Sequence, residues 1–214
     1  MLSSGMASPA KTGTRRGRRQ GEPVSKEAVL AAAKVRFAAD GYEKTTLRAI
    51  ARDAHVDPSM VLYLFGSKAD LFRESLRLII DPAVLVSAMS DGPGPIGDRL
   101  VRQYLTIWEA PESAATMVAM LQSATSNTDA HEAFRAFMQG YVLTAVSGAV
   151  GAETQPRLRA MLAATNLVGT ALLRYVMKVP PLSDLSADQV VTLIGPTVTR
   201  YLTGDADELG LTAL

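Results

Sequence analysis

The residues of this chain best placed to do chemistry lie in the stretch HVDPSMVLYLFGSK, His55 to Lys68. Val61, Leu64 and Phe65 repeat at helical spacing and claim an inner face, which turns Ser59, Met60, Leu62 and Tyr63 outward. The hydroxyls of Ser59 and Tyr63 can reach base edges or the sugar-phosphate backbone of DNA. The side chains of Met60 and Leu62 can meet thymine methyl groups in a major groove. Lys68 stands beside the free amides that open the next helix, and a cation at a positive helix end is a natural phosphate clamp. Thr45, Thr46 and Arg48 repeat that arrangement one segment earlier. The plainer alternatives are capping by Thr45 and Ser67, a solvated Lys68, and a local Arg52–Asp53 pair.

Other chemistries have little to build on. The absence of cysteine excludes disulfides, a thiolate nucleophile and sulfur-ligated zinc, and two distant histidines argue against a His-based metal site, so no cofactor is expected. No Ser/His/Asp order or pair of catalytic carboxylates appears, and GPGPIG lacks the lysine and following Ser/Thr of a phosphate loop. A helical enzyme or lipid carrier therefore finds no support.

Charge points the same way. Residues 1–80 hold fourteen Lys and Arg against eight Asp and Glu, a net +6, whereas residues 81–214 hold eight against thirteen, a net −5. Such a split suits a chain whose first third faces a polyanion. Arg15, Arg16, Arg18 and Arg19 extend the positive charge into an arm over residues 1–24 that is too poor in large apolar groups to order itself. Arginines on such a tether can enter a narrow minor groove or add non-specific attraction.

Positioning these residues requires helices. Periodicity is helical almost throughout the 214 residues, with 48% hydrophobic content to supply a core, and no alternating strand appears. Ser25 can cap a first helix ending before Gly41, Thr45 a second, Asp57-Pro58 a third, and Ser67 with Asp70 a fourth. Asp81-Pro82 starts a short helix, and SDGPGP is a loop. Long helices follow over roughly 96–109, 113–126, 130–150, 154–178 and 186–203. Two short helices joined at His55-Val56-Asp57 would display the second one outward, a geometry that fits a DNA major groove. With neither a membrane span nor a signal segment visible, the cytoplasm is the expected location.

The stretch Val29 to Phe72 resembles the DNA-binding domain of the TetR family of bacterial transcriptional regulators. The matching residues are Phe37 with Gly41-Tyr42, Thr45-Thr46, Ile50-Ala51 with Ala54, and Phe65-Gly66-Ser67-Lys68 leading to Leu71-Phe72. YLTIWEAPESAATMVAMLQSA, LVGTALLRYVMKVPPL and IGPTVTRYLTG resemble an actinobacterial-type C-terminal class of that family. The resemblance implies an all-α fold of nine or ten helices, a homodimer on a palindromic DNA operator, and usually a repressor whose C-terminal domain binds a small-molecule effector. The implied division is an arm at 1–24, a helix-turn-helix domain at 25–80, an effector and dimerisation domain at 81–204, and a tail at 205–214. Two departures stand out: His55 replaces the usual turn glycine, and Leu62 occupies a position where many relatives carry tyrosine.

One recognition helix touches few base pairs, so specificity calls for two copies spaced about 34 Å apart or a multiple of it. Leu162, Leu167, Thr170, Leu173, Ile194, Val198 and Leu202 are the candidates for the dimer interface, although an internal core would use the same residue types. Tyr104, Trp108, Met117, Met120 and Leu121 form an aromatic and methionine-rich set suited to an adaptable ligand pocket or to an ordinary core. Arg174 can pair with a ligand acid, with Asp98 or with Glu109. Regulation by a protein partner, or with no effector, remains the alternative to a small molecule.

Overall fold

The computed structural model describes residues 26–90, 92–111, 113–151 and 154–213, and every described regular element is helical. The basic arm, with Arg15, Arg16, Arg18 and Arg19, and the Ser25 cap lie outside the described residues. The first four helices are α1 (Lys26–Lys44), α2 (Leu47–Asp53), α3 (Pro58–Phe65) and α4 (Lys68–Arg77). Then come α5 (Pro82–Ser90), α6 (Ile96–Glu109), α7 (Ala114–Ser126) and α8 (Thr128–Phe137). A π-helical turn, Met138–Val142, carries α8 straight into α9 (Leu143–Val150). A second, Leu172–Val176, extends α10 (Pro156–Ala171), and α11 (Ala187–Thr203) closes the helical body.

Local chemistry sets most helix starts. Asp57 accepts the Ser59 N–H at 2.8 Å with Pro58 in the first turn, and Ser67 accepts the Asp70 N–H at 3.0 Å. Ser186 and Gln189 form a reciprocal capping box on α11. The start of α2 lies one residue later than expected, because Thr46, not Thr45, accepts the Ala49 N–H at 3.1 Å. The first helix also outruns its expected end: it reaches Lys44 across a break at Gly41, whose φ of +71° glycine adopts without a Cβ penalty.

One continuous apolar core runs from Val29 on α1 to Leu202 on α11. Phe37, Tyr42 and Phe72 form an aromatic cluster with centroid separations of 5.0–5.9 Å, joining α1 to α4. Behind them α1 packs on α7, where the Ser123 hydroxyl accepts the Tyr42 N–H at 3.1 Å. In the body α6 lies against α11 so closely that a Cβ on Gly97 would meet the backbone of Gly195 and Thr199, and one on Gly195 would meet the Asp98 carboxylate. The Gly97 N–H donates to Thr199 Oγ1 at 3.0 Å across this crossing.

That crossing corrects part of the expected dimer face. Val198 and Leu202 are fully buried against the molecule's own core, and Leu167 and Thr170 point inward from α10, with the Thr170 hydroxyl donating to Asn166 O at 2.7 Å. Both faces of α11 are rich in apolar residues, and the side that carries Val198 and Leu202 is the one turned into the core. Leu162 and Ile194 remain half-buried, while Leu173 is exposed, as are Met161 and Leu193.

Candidate DNA interface and effector cavity

The pair α2 and α3 is joined through His55, whose φ of +55° places a non-glycine residue in the left-handed region. Val61 and Phe65 anchor the inner side of α3, leaving Tyr63 83% exposed and Leu62 48% exposed. Ser59 and Arg48 are exposed, and Met60 is half-buried. Ser59 is already engaged, since its hydroxyl donates to Asp57 Oδ1 at 2.6 Å. That pairing, with the backbone bond beside it, holds the Asp57 carboxyl below the usual carboxylate range. Thr46 is exposed with its hydroxyl capping α2.

Two expected contacts are relocated. Thr45 is 1% exposed, and its hydroxyl donates to Gly41 O at 2.7 Å and to Arg36 O at 3.2 Å, so its side chain is a structural bolt between α1 and α2. Lys68 is half-buried with its ammonium 4.3 Å from the Tyr42 ring centre, and it donates to Glu43 O at 3.3 Å. Burial draws its pKa downward, against the pull of Glu43 and Asp129. The same cluster pushes Tyr42 up to about 12, by burial first and then by Asp129. Lys68 therefore ties α4 to the end of α1, whatever it offers a phosphate.

Sequence reasoning missed an ion pair that links α1 to α2. Arg36 on α1 holds the Asp53 carboxylate, and the partners lie seventeen residues apart on different helices, beyond any local pattern. Arg52 makes only a peripheral approach to Asp53 at 3.8 Å.

In the body, Tyr104, Trp108, Met117, Met120 and Leu121 all line one cavity of about 50 Å³. Leu167 belongs to this wall instead of a dimer face. Leu76 near the end of α4, Ile80 in the turn after it, Phe134 from α8, and Met138 and Val142 from the first π turn complete much of the rest. Met138 and Val142 were not evident beforehand, because a π turn departs from the regular helical spacing.

Arg174 does not share this cavity with the others and lines the groove on the other side of Trp108. It lies outside this wall, donating to Leu182 O at 2.9 Å, Leu185 O at 2.6 Å and Glu109 Oε1 at 3.2 Å. Tyr175 also donates to Glu109 Oε1, at 2.8 Å, and stacks on Trp108 with ring centres 5.2 Å apart. Burial, then Glu109, pushes the Tyr175 phenol up to about 12.

Comparison with known proteins settles the family. Residues 29–75 match the family model described as bacterial regulatory proteins, tetR family, and residues 95–202 match that described as the Tetracyclin repressor-like C-terminal domain. The chain belongs to the TetR family. It is a transcriptional regulator with an N-terminal helix-turn-helix, not an enzyme. A TetR-family regulator from Streptomyces coelicolor A3 shares 31% identity, with a TM-score of 0.64 over 87% of this chain and 98% of that one. The fold is shared with FadR, a fatty acid degradation regulator from Bacillus halodurans, at 18% identity and a TM-score of 0.60 over 82% and 98% of the two chains. It is also shared with NalD, the secondary repressor of the MexAB-OprM multidrug efflux pump in Pseudomonas aeruginosa, at 21% identity and a TM-score of 0.56 over 84% and 95%. No curated protein matches the chain. Among the described residues no helix is long and apolar enough to cross a membrane.

Proposed function

We propose that this TetR-family regulator acts as a homodimeric repressor on a palindromic operator and is released by a small, mostly apolar ligand held in the Trp108 cavity. The observation that carries the DNA-binding part is Tyr63, 83% exposed beside Leu62 on a helix whose other face is anchored by Val61 and Phe65. An aromatic and an aliphatic group held out in water have a use if base edges and thymine methyls meet them. In this reading Arg48 and Thr46 neighbour the phosphates, and Arg15, Arg16, Arg18 and Arg19 add attraction from the arm. The division is a DNA-binding head at 25–80 and an effector and dimer body at 81–204.

Dimerisation is supported by the apolar residues left outside on the last helices: Met161 on α10, Leu173 on its π extension and Leu193 on α11, with Leu162 and Ile194 half-buried among them. Release is supported by the position of the cavity. Leu76 puts part of its wall on α4 and Ile80 part on the turn that follows, so an occupant that widens the cavity shifts the helix that follows the recognition helix. A ligand achieves this only through differential affinity for the two arrangements.

The test is selection of bound sites from a random DNA library, repeated with Tyr63→Ala, together with light scattering of Leu193→Glu. Enriched sites with dyad symmetry, lost by the first variant, and a monomer in the second are the expected results. Sites lacking a dyad, or unaltered selection by Tyr63→Ala, would overturn the assignment.

A further inference from the structure

The cavity carries information about its occupant's chemistry, an inference that rests on the effector reading above. Among the described residues, none that line it is charged. Arg174 is directed away to carbonyls and Glu109, on the far side of the Trp108–Tyr175 stack. The wall is hydrocarbon and thioether apart from two polar groups four residues apart on α6, the Tyr104 hydroxyl and the Trp108 indole N–H.

Trp108 is 3% exposed, and its Nε1 has no hydrogen-bond partner among the described residues. The Tyr104 and Trp108 ring centres lie 6.1 Å apart, and the two side chains make no hydrogen bond of normal geometry. Trp108 lines both this cavity and the outer groove on its other side, whereas Tyr104 lines the cavity alone, so the cavity is where one ligand can meet both groups. Leaving a buried donor unmatched is costly, and a ligand that supplies an acceptor recovers the loss. An ionised group brought to the same place would lose its hydration with no counter-charge to meet it.

We infer that the effector is an uncharged, largely hydrocarbon molecule with an accepting oxygen, of the ketone, ester or ether kind, which receives the Trp108 N–H at the Tyr104 end of the cavity. The cavity is small for a ligand site, so the occupant enters by moving Met117, Met120 and Met138, whose unbranched side chains adapt readily. Selectivity is therefore set by one donor and by the absence of charge, while size is left to the adaptable wall.

Four probes of similar size separate the possibilities: acetophenone, ethylbenzene, benzoate and benzylammonium, each titrated into the full-length protein by calorimetry and thermal shift. Acetophenone should bind about tenfold more tightly than ethylbenzene, the worth of one buried hydrogen bond, and neither ion should bind. Trp108→Phe keeps an aromatic ring against Tyr175 and should erase the preference for acetophenone while still accepting ethylbenzene. Tyr104→Phe should keep the preference, which provides a second check if Trp108→Phe fails to fold. Equal binding of acetophenone and ethylbenzene, or tighter binding of either ion, overturns the inference while leaving the cavity a ligand site. No shift with any of the four removes the effector site itself, and the inference with it.

Discussion

Arg36 on α1 grips both carboxylate oxygens of Asp53 at the end of α2, through Nε and through Nη2 at 3.0 Å. The pairing, chiefly its hydrogen bonds, holds the Asp53 carboxyl below the usual carboxylate range. A carboxylate with a depressed folded pKa adds stability that is complete above its unfolded value, about 3.9, and is lost as pH falls through the folded value. Denaturant titrations between about pH 6 and pH 3 should show wild type losing stability more steeply below about pH 4 than Asp53→Asn. Parallel curves would show that this pair plays no part in acid sensitivity.

Tyr63 and Thr45 should behave as opposites. Tyr63→Ala removes an exposed ring, so stability should stay within about 0.5 kcal/mol of wild type, while affinity for the selected operator falls by about 1–3 kcal/mol. Thr45→Val strips the hydroxyl from the Gly41 and Arg36 carbonyls and should cost about 1–3 kcal/mol of stability. Its operator affinity per folded molecule should be unchanged in gel shifts corrected for folded fraction. A Thr45→Val protein of normal stability and weak DNA binding would return that hydroxyl to the DNA surface.

The α6–α11 crossing should tolerate no side chain. Gly97→Ala and Gly195→Ala should each cost about 1–3 kcal/mol through overpacking, read as a lowered Tm. The two differ in how they can be rescued. At Gly195 the obstacle is mainly the Asp98 side chain, so Asp98→Ala should recover part of the loss. At Gly97 the obstacle is largely backbone, and the same second change should recover nothing. Rescue at Gly97 alone would mean that the crossing is packed differently.

His55 holds a left-handed turn at φ +55°. His55→Gly should raise stability by up to about 1 kcal/mol by relieving that conformation, less what glycine's freer unfolded chain takes back. His55→Val should lower it, since branching at Cβ is least compatible with positive φ. Urea midpoints of the three proteins check the order, and a valine variant as stable as wild type would contradict it.

What could be read from the sequence was whatever local chemistry decides. Asp57 and Ser67 start helices because each carboxylate or hydroxyl serves an amide within three residues of itself. Thr45 and Thr46 offered equivalent hydroxyls, and only the Gly41 and Arg36 carbonyls, brought in by the fold, assign one inward and the other to the cap. Tyr104 with Trp108, and Met117 with Met120 and Leu121, were legible as a group because helical spacing puts each set on one face. Met138 and Val142 were not, since a π turn breaks that spacing. On α11 two apolar faces competed, and the close approach at Gly195 decided which one turned inward.

The Tyr42 N–H bond to Ser123 lies inside an unbroken stretch of core, with Phe37 and Phe72 on one side and α7 on the other. Head and body thus share one apolar interior. Heat should dissolve both in a single calorimetric peak, and a severed head would bare Phe37, Tyr42 and Leu71 to water. The same sharing would let warmth, acid or an occupant in the body register at the recognition helix, with no dedicated relay between them.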